Sequence, residues 1–153
     1  VDISYNQITS ISAEKITYPK CESLSIKGNK LQKFPTAISE TYTLEKLDLS
    51  ENKINSIDDD AFNQLENLIE LDLSFNNLTY LPTSIGKLKK LKRLNLSGNK
   101  ISSLPKEFEN LTALEFLDFD NNPIGRVPVE ISSQGVSGII NYYLSLGDNV
   151  QLF

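Results

Sequence analysis

The sequence contains no histidine, no methionine and no tryptophan, and it has one cysteine, Cys21, among 153 residues. Without histidine, the chain cannot build a Ser-His-Asp triad, a histidine general base or a histidine-containing zinc site. One cysteine cannot form a disulfide within the chain, and a lone thiol is typical of a reducing compartment. These absences predict a cytoplasmic location and exclude histidine-dependent catalysis.

Long apolar runs are also missing, since no stretch approaches the ~18 residues that a membrane helix needs. The net charge of −5 makes nucleic acids and anionic membranes poor ligands. Hydrophobic residues make up 39% of the chain and charged residues 23%, which is typical of a globular domain with a core. We therefore expect no nucleic acid ligand and no membrane insertion. The expected partner is a protein or a neighbouring domain, and the oligomeric state stays open.

The sequence lacks motifs for catalysis and for metal or cofactor binding. Gly86-Lys87 has no glycine five places before Gly86, so this pair does not form a phosphate-binding loop. The run Asp58-Asp59-Asp60 lacks the alternating ligands, central glycine and distant glutamate of an EF-hand. We predict no catalytic residue, no cofactor and no metal. The remaining enzyme alternative is an acidic hydrolase site, which needs a carboxyl of raised pKa in a cleft.

Asparagine recurs at intervals of 23 or 24 residues, each time within the same pattern of apolar residues. The asparagines are Asn6, Asn29, Asn52, Asn76, Asn99 and Asn122. In the fourth unit the apolar positions are Leu68, Leu71 and Leu73 before the asparagine and Leu78 after it. A Leu-x-Leu segment predicts a short strand, and successive strands stack about 4.8 Å apart in a parallel sheet. The pattern predicts about six repeats over residues 1–128, the first of them truncated.

The pattern Leu-x-x-Leu-x-Leu-x-x-Asn-x-Leu resembles the repeats of the leucine-rich repeat family. The resemblance implies an α/β fold, a right-handed solenoid with parallel strands on its concave face and short helical or 3₁₀ turns on its convex face. Leu-Pro pairs such as Leu81-Pro82 recur on the convex side. The third repeat departs from this pattern, and Asp58 is expected to cap a short helical turn there. The six asparagines are predicted to form a buried amide ladder with a structural role.

The end of the chain is predicted to close the stack of repeats, because a solenoid needs a cap over its last repeat. Residues 129–147 form the expected cap, with a helix that Ser132 or Ser133 begins and that Gly147 ends. Residues 148–153 are expected to be a linker toward a following domain. Val1 enters in the middle of a repeat, which predicts a segment of a longer protein.

The outward positions of the strands are the predicted partner-binding surface, because solenoids bind ligands on their concave face. The position between the two strand leucines is mostly acidic and predicts a strip that accepts lysine or arginine from a partner. Phe116 and Ile69 stand where polar residues are expected, and Tyr5 and Phe75 precede the asparagine column. Exposed aromatic side chains are candidate hot spots, and the alternative for each is packing against the next repeat. The candidates are Tyr5, Ser25, Lys46, Asp48, Ile69, Glu70, Asp72, Phe75, Arg93, Asn95, Phe116 and Asp118.

The segment of residues 129–144, with Ile131, Gly135, Ile139 and Tyr143, is similar to the segment that closes the repeats of Roco proteins. This resemblance implies that a Roc GTPase domain, a COR domain and often a protein kinase follow Phe153. The repeats would then regulate the linked GTPase and kinase in a cytosolic signalling protein. Two alternatives stay open: a free-standing scaffold that binds Ras-like GTPases, and an extracellular recognition receptor.

Overall fold

A computed structural model describes residues 1–12 and 20–150, with side chains described up to residue 147. Five strands form one parallel sheet, and their order in the sheet is their order in the chain. The strands are β1 (Ser23–Ser25), β2 (Lys46–Asp48), β3 (Glu70–Asp72), β4 (Arg93–Asn95) and β5 (Phe116–Asp118). The middle residue of each strand lies opposite the corresponding leucine of the next strand. This architecture is the predicted α/β solenoid, with one strand for each repeat.

The apolar positions of the repeats form one continuous core. The middle strand leucines Leu47, Leu71 and Leu94 are buried, and so are the leucines that follow the strands, such as Leu49 and Leu73. Side chains alternate along a strand, so the residues on either side of the middle leucine face the opposite surface. The short strands therefore divide the sheet into an inward apolar face and an outward polar face.

Proline determines where the convex turns begin. Pro35, Pro82 and Pro105 each precede a five-residue 3₁₀ helix, and their fixed φ near −65° holds the extended entry to the turn. The three helices are η1 (Thr36–Glu40), η2 (Thr83–Lys87) and η3 (Lys106–Asn110). Their inward residues Ile38, Ile85 and Phe108 are fully buried. The convex side thus carries the predicted 3₁₀ turns.

The third repeat differs from the prediction at Asp58. The chain forms consecutive turns over residues 59–64 instead of a regular helical turn. The backbone carbonyl of Asp58 accepts a hydrogen bond from the N–H of Ala61 at 3.0 Å, which closes the first turn without a side-chain cap. Phe62 fills the interior there and meets the Phe34 ring edge-on at 5.2 Å. Ile57 is buried at the position of the leucine, so the core stays filled although this turn has no proline.

The asparagine ladder joins each repeat to the one before it. The side-chain N–H₂ of Asn76 donates to the carbonyls of Leu73 in its own turn and Leu49 in the preceding repeat, both at 3.0 Å. Its side-chain oxygen accepts the N–H of Ile54 at 2.9 Å. The amide therefore satisfies backbone groups that neither the strands nor the turns can pair.

The ladder is buried in its middle and open at its ends. Asn29, Asn52, Asn76 and Asn99 are buried. Asn6 is exposed and Asn122 is half-buried, so the prediction of six buried amides is wrong at these two positions. Each amide is covered by the turns on both sides of it, and the described chain provides only one such neighbour for the first and last members.

The C-terminal cap has a short helix α1 (Val129–Ser132) and a long helix α2 (Gly135–Val150). The side chain of Tyr143 is buried, its ring packs edge-on against Phe119 at 5.3 Å, and its hydroxyl donates to the carbonyl of Gly125 at 2.8 Å. Phe119 lies 6.1 Å from Phe108, so aromatic rings connect the cap to the last 3₁₀ helix. Through these contacts the cap helix packs on the end of the core.

The boundaries of the cap helix differ from the prediction. The hydroxyls of Ser132 and Ser133 donate backward to the carbonyls of Val129 and Glu130, so neither serine caps α2. Gly135, at φ +80°, makes the bend between the two helices instead. Gly147 has no positive φ and the helix continues through it to Val150. Residues 148–150 therefore extend the helix, and residues 151–153 of the expected linker lie outside the described residues.

Candidate binding surface

The outward side chains of β1 to β5 line an open concavity of about 400 Å³. Eight of the twelve predicted binding residues lie in it: Ser25, Lys46, Asp48, Glu70, Asp72, Arg93, Asn95 and Phe116. Asp118, the last residue of β5, lies in a neighbouring depression between β5 and the cap. The parallel register places these side chains in two columns, one on each side of the buried strand leucines.

The second column, which ends each strand, has the same local structure in every repeat. The Oδ1 atom of Asp48 accepts the N–H of Ser50 at 2.9 Å and its hydroxyl at 2.6 Å. Asp72 makes the same two bonds to Ser74, at 2.9 and 2.6 Å. Asn95 and Asp118 accept backbone N–H groups two residues ahead in the same way. The acidic column therefore stabilises the turn after each strand, which a short polar side chain does well.

The same turn affects the charge state of the first member of this column. Hydrogen bonding by Ser4, through its hydroxyl and its N–H, holds the pKa of Asp2 below the ordinary value of an aspartate. A donor that binds the ionised carboxylate favours that form. This is the opposite of the raised pKa that an acidic hydrolase would need, so this carboxyl gives the enzyme alternative no support.

The first column, which begins each strand, changes its chemistry from repeat to repeat. It reads Ser23, Lys46, Glu70, Arg93 and Phe116 from β1 to β5. The ammonium of Lys46 lies 3.9 Å from a carboxylate oxygen of Glu70, so these two charges offset each other. The guanidinium carbon of Arg93 lies 4.4 Å from the centre of the Phe116 ring, a cation–π geometry. Phe116 is 37% exposed, so the pair presents both an aromatic edge and a cation to the concavity.

Tyr5 and Phe75 lie on the loops that leave the strands, outside the concavity. Each ring covers a glycine one repeat further on: an added Cβ at Gly28 would lie 2.5 Å from the Tyr5 ring, and one at Gly98 would lie 2.6 Å from the Phe75 ring. Both aromatic residues have positive φ, 53° and 55°, yet they stay 67% and 57% exposed. Packing against the next repeat, the alternative considered for both, is thus part of their role.

Ile69 does not belong to the concave surface. It lies one residue before β3, is half-buried, and is not among the residues that line the concavity. Its carbonyl accepts the N–H groups of Lys92 and Arg93 at 2.8 and 3.1 Å. The predicted strand position differs, since β3 begins one residue later at Glu70, and the role of Ile69 in partner binding stays a prediction.

A run of cations lies on the edge of the molecule, and only its last member, Arg93, is among the predicted binding residues. Lys87, Lys89, Lys90, Lys92 and Arg93 are all exposed and lead from η2 into β4. The run is visible in the sequence, since residues 87–93 contain five of the chain's fifteen lysines and arginines. We call these five residues the basic strip.

Within the described part of the chain, neither a cluster of potential metal ligands nor a membrane-spanning helix is present. No group of three or more histidine, cysteine, aspartate or glutamate side chains within it is placed to hold a metal ion. None of the helices in residues 1–12 and 20–150 has the length and apolar character to cross a bilayer. Cys21 is buried, and its thiol lies 3.5 Å from the carbonyl of Ser23.

Comparison with known proteins gives relatives along most of the chain. Human Mimecan is 34% identical over 109 residues, which cover 71% of this chain and 37% of that protein. Mouse Keratocan is 32% identical over 81 residues, which cover 51% of this chain and 22% of that protein. The chain therefore spans little more than a third of the length of Mimecan. These relatives support the repeat assignment and give no support to the Roco resemblance.

Solved structures show the same architecture. The protein in the TLR13–ssRNA13 complex superimposes with a TM-score of 0.73 at 34% identity, covering 79% of this chain and 18% of that one. An internalin from Listeria monocytogenes gives 0.65 at 26% identity, covering 76% and 33%. The family model of the leucine rich repeat matches residues 42–99 and 82–124, together more than half of the sequence. The chain belongs to the leucine-rich repeat family.

Proposed function

We propose that this chain is a protein-binding domain that holds its partner on the concave face, with Arg93 and Phe116 as the anchor. The observation that carries the proposal is the 4.4 Å stack of the Arg93 guanidinium on the half-exposed Phe116 ring. Aromatic and arginine side chains are the residues most often found at the energetic centre of protein interfaces. Their stacking presents both side chains in one fixed arrangement, which lowers the conformational entropy that binding would cost.

The two columns of the concave face support this assignment in different ways. The column that contains Asp48 and Asp72 repeats one turn structure, so its residue types follow from the fold. The column that contains Glu70, Arg93 and Phe116 makes no bond that recurs from repeat to repeat, so the fold leaves its chemistry free. A surface of this kind can acquire specificity for a partner without loss of the scaffold.

The charges of the concavity favour a protein over a nucleic acid. The TLR13 structure shows that a leucine-rich repeat protein can bind single-stranded RNA. In this chain, Asp48, Asp72 and Asp118 present carboxylates along the face, and a phosphate backbone would be repelled by them. A protein partner can place lysine or arginine beside these carboxylates and an apolar group on Phe116. We therefore assign the face to binding a protein and not a nucleic acid.

The test compares the double variant Arg93→Glu/Phe116→Ala with the unchanged protein. Both forms are immobilised, partners are retained from an extract of the producing cells, and the retained protein is then purified for titration calorimetry. We expect the double variant to bind about tenfold or more weakly, because it removes both anchor side chains. The matched control is Lys30→Glu/Tyr80→Ala, which makes the same two chemical changes at exposed residues away from the concavity.

The control variant should bind within about twofold of the unchanged protein, since peripheral contacts contribute little. Equal affinity of the anchor variant and the unchanged protein would contradict the proposal. So would a loss in the control as large as the loss in the anchor variant.

The finer hypothesis assigns the domain to a cytosolic protein in which it regulates a linked Roc GTPase. It rests on the closing segment of residues 129–144 and on the lone thiol of Cys21. We propose to test it by sequencing the transcript beyond Phe153. A strand followed by Gly-x-x-x-x-Gly-Lys-Ser/Thr within about 30 residues is the expected result for a Roc domain. A stop codon or a different module there would remove the hypothesis and favour a free-standing adaptor.

A further inference from the structure

The basic strip is strongly positive, although the chain as a whole is negatively charged. The whole chain carries −5, yet residues 87–93 contain five cations and no acidic residue. Among the described residues, the ion pairs within 4.0 Å are Lys27 with Glu51 and Lys46 with Glu70, and neither includes the strip. The one side-chain bond in the strip joins the ammonium of Lys90 to the amide oxygen of Asn67 at 2.8 Å. Among the described residues, none of these five exposed cations has a carboxylate within 4.0 Å, although Glu70 lies opposite Arg93 in the sheet and Glu115 adjoins Lys92.

The strip follows the loop that returns the chain from the convex side to the sheet. It begins at the last residue of η2 and ends at the first residue of β4. Its last member, Arg93, is also the cation that stacks on Phe116 in the concavity. The strip thus extends from the convex side to the edge of the concave face. Six residue steps of extended chain span at most about 20 Å, which limits the ligand segment to a few residues.

The neighbouring repeats limit the strip to the width of one repeat. Lys92 is flanked through backbone hydrogen bonds by Ile69 on one side and by Glu115 on the other. The backbone N–H of Ile69 in turn donates to the carbonyl of Glu45 at 2.7 Å. A long polyanion that crossed several repeats would meet these acidic positions. A short anionic segment that runs along the strip would not.

We propose that the basic strip binds a short peptide segment rich in glutamate and aspartate. The ligand segment would run along the return loop, with its carboxylates beside Lys87, Lys89 and Lys92, and would approach the concave face at Arg93. The basic strip shares Arg93 with the protein-binding anchor, but its four lysines lie outside the anchor and favour a different ligand chemistry. Ion pairs between exposed groups are weak singly, so several in a row and low ionic strength are needed for measurable binding.

The probe is a fluorescein-labelled peptide of six glutamates, and the readout is fluorescence anisotropy at low ionic strength. The test variant is Lys87→Glu/Lys89→Glu/Lys92→Glu, which leaves Arg93 and the Lys90–Asn67 bond in place. The matched control is Lys30→Glu/Lys53→Glu/Lys100→Glu, which reverses three exposed lysines on the opposite loops. Both variants have the same net charge, so a difference between them reports on position alone. We expect the strip variant to bind about tenfold or more weakly and the control within about threefold of the unchanged protein.

Three results would overturn the proposal. They are no binding of the peptide by the unchanged protein, equal losses in the two variants, and tighter binding of a six-nucleotide single-stranded RNA than of the peptide. Phe116→Ala distinguishes this proposal from the previous one, because it removes the aromatic anchor and keeps the strip. Peptide affinity should stay unchanged in Phe116→Ala, even where that variant loses the concave-face partner.

Discussion

The two faces of the same five strands follow opposite rules. On the inward side, every repeat places leucine in the middle of the strand and asparagine at the exit, with nearly the same hydrogen bonds each time. On the outward side, the residue that begins the strand changes from serine to lysine, glutamate, arginine and phenylalanine. The inward face stacks the repeats, so each unit must match its neighbours. The outward side chains make only occasional contacts between repeats, such as Lys46 with Glu70 and Arg93 with Phe116, so each unit is free to differ.

This contrast allows structural and binding residues to be separated without a known ligand. A position whose contacts recur in register with the repeats has a structural role. Asp48 and Asp72 fall into this class although they lie on the outward face, because each accepts two bonds from the serine two residues ahead. Arg93 and Phe116 fall outside it, because their stack occurs once. The predictions below test this separation, from the largest expected effect on stability to the smallest.

Asn76→Ala is expected to have the largest effect. It leaves the carbonyl of Leu49 and the N–H of Ile54 buried without their partner, which costs about 1–3 kcal/mol of unfolding free energy. Chemical denaturation followed by circular dichroism measures this loss. Asn6→Ala is the matched control, because Asn6 is exposed and water can replace its amide. Equal losses at Asn76 and Asn6 would contradict the role of burial in the ladder.

Gly98→Ala tests the packing of Phe75 on the next repeat. The backbone at Gly98 has φ +68°, which costs an alanine about 1–2 kcal/mol, and the new Cβ would also collide with the Phe75 ring. Gly125→Ala is the matched control, since φ there is +84° and nothing lies within 4 Å of an added Cβ. Thermal unfolding should show a larger loss at Gly98. The double variant Gly98→Ala/Phe75→Ala has no ring for the new Cβ to meet. Its loss relative to Phe75→Ala should therefore fall to the loss of Gly125→Ala, which comes from the positive φ alone.

Tyr143 gives the cap a dependence on alkaline pH. Burial, followed by the nearby Tyr142 and Asp120, raises the pKa of Tyr143 above its ordinary value of 10.0. A raised pKa in the fold means that the neutral form is favoured there. Its contribution to stability is therefore complete below pH 10 and is lost as the pH rises through the folded pKa. The ionised oxygen also can no longer donate to the carbonyl of Gly125.

Tyr143→Phe should cost about 1 kcal/mol at neutral pH, through the lost hydrogen bond, and should flatten the fall in stability above pH 10. Denaturant unfolding from pH 7 to pH 11 measures both the loss of unfolding free energy at neutral pH and its slope above pH 10. Tyr42→Phe, at an exposed site, is the control and should leave the curve unchanged. An unchanged alkaline slope in Tyr143→Phe would show that this tyrosine does not cause it.

Arg93→Glu/Phe116→Ala should have the smallest effect on stability. Both side chains are exposed on the outward face, and surface substitutions there change the free energy of unfolding by about 0.5 kcal/mol or less. Thermal unfolding of the double variant measures it. A loss as large as that of Asn76→Ala would place the stack among the structural contacts and remove the basis of the separation.

The sequence predicts the scaffold well because each repeat solves the same packing problem. The spacing of asparagine and leucine defines the strands, the ladder and the proline-led turns. The path of α2 through Gly147 was not predictable from the residue type, since glycine ends a helix only where φ becomes positive, and this occurs at Gly135. Ile69 lies before the strand and not in it, because β3 begins at Glu70. These errors concern boundaries, which the repeat pattern does not specify.

The ring–glycine pairs and the basic strip can be recognised in the sequence only once the repeats are aligned. Tyr5 and Gly28, and likewise Phe75 and Gly98, stand 23 residues apart, one repeat from each other. A large ring followed one repeat later by glycine is what close packing between the loops requires. The basic strip is visible as a run of charge, but its position on the return loop follows from η2 and β4.

Site-specific photo-crosslinking tests the central claim most directly. A benzophenone side chain replaces Phe116 in one variant and Val129, which is 80% exposed on the cap, in another. Both variants are irradiated in an extract of the producing cells, and the products are separated by mass. We predict a discrete adduct to one partner protein from position 116 and none from position 129. The same adduct from both positions, or an adduct from position 129 alone, would contradict binding on the concave face.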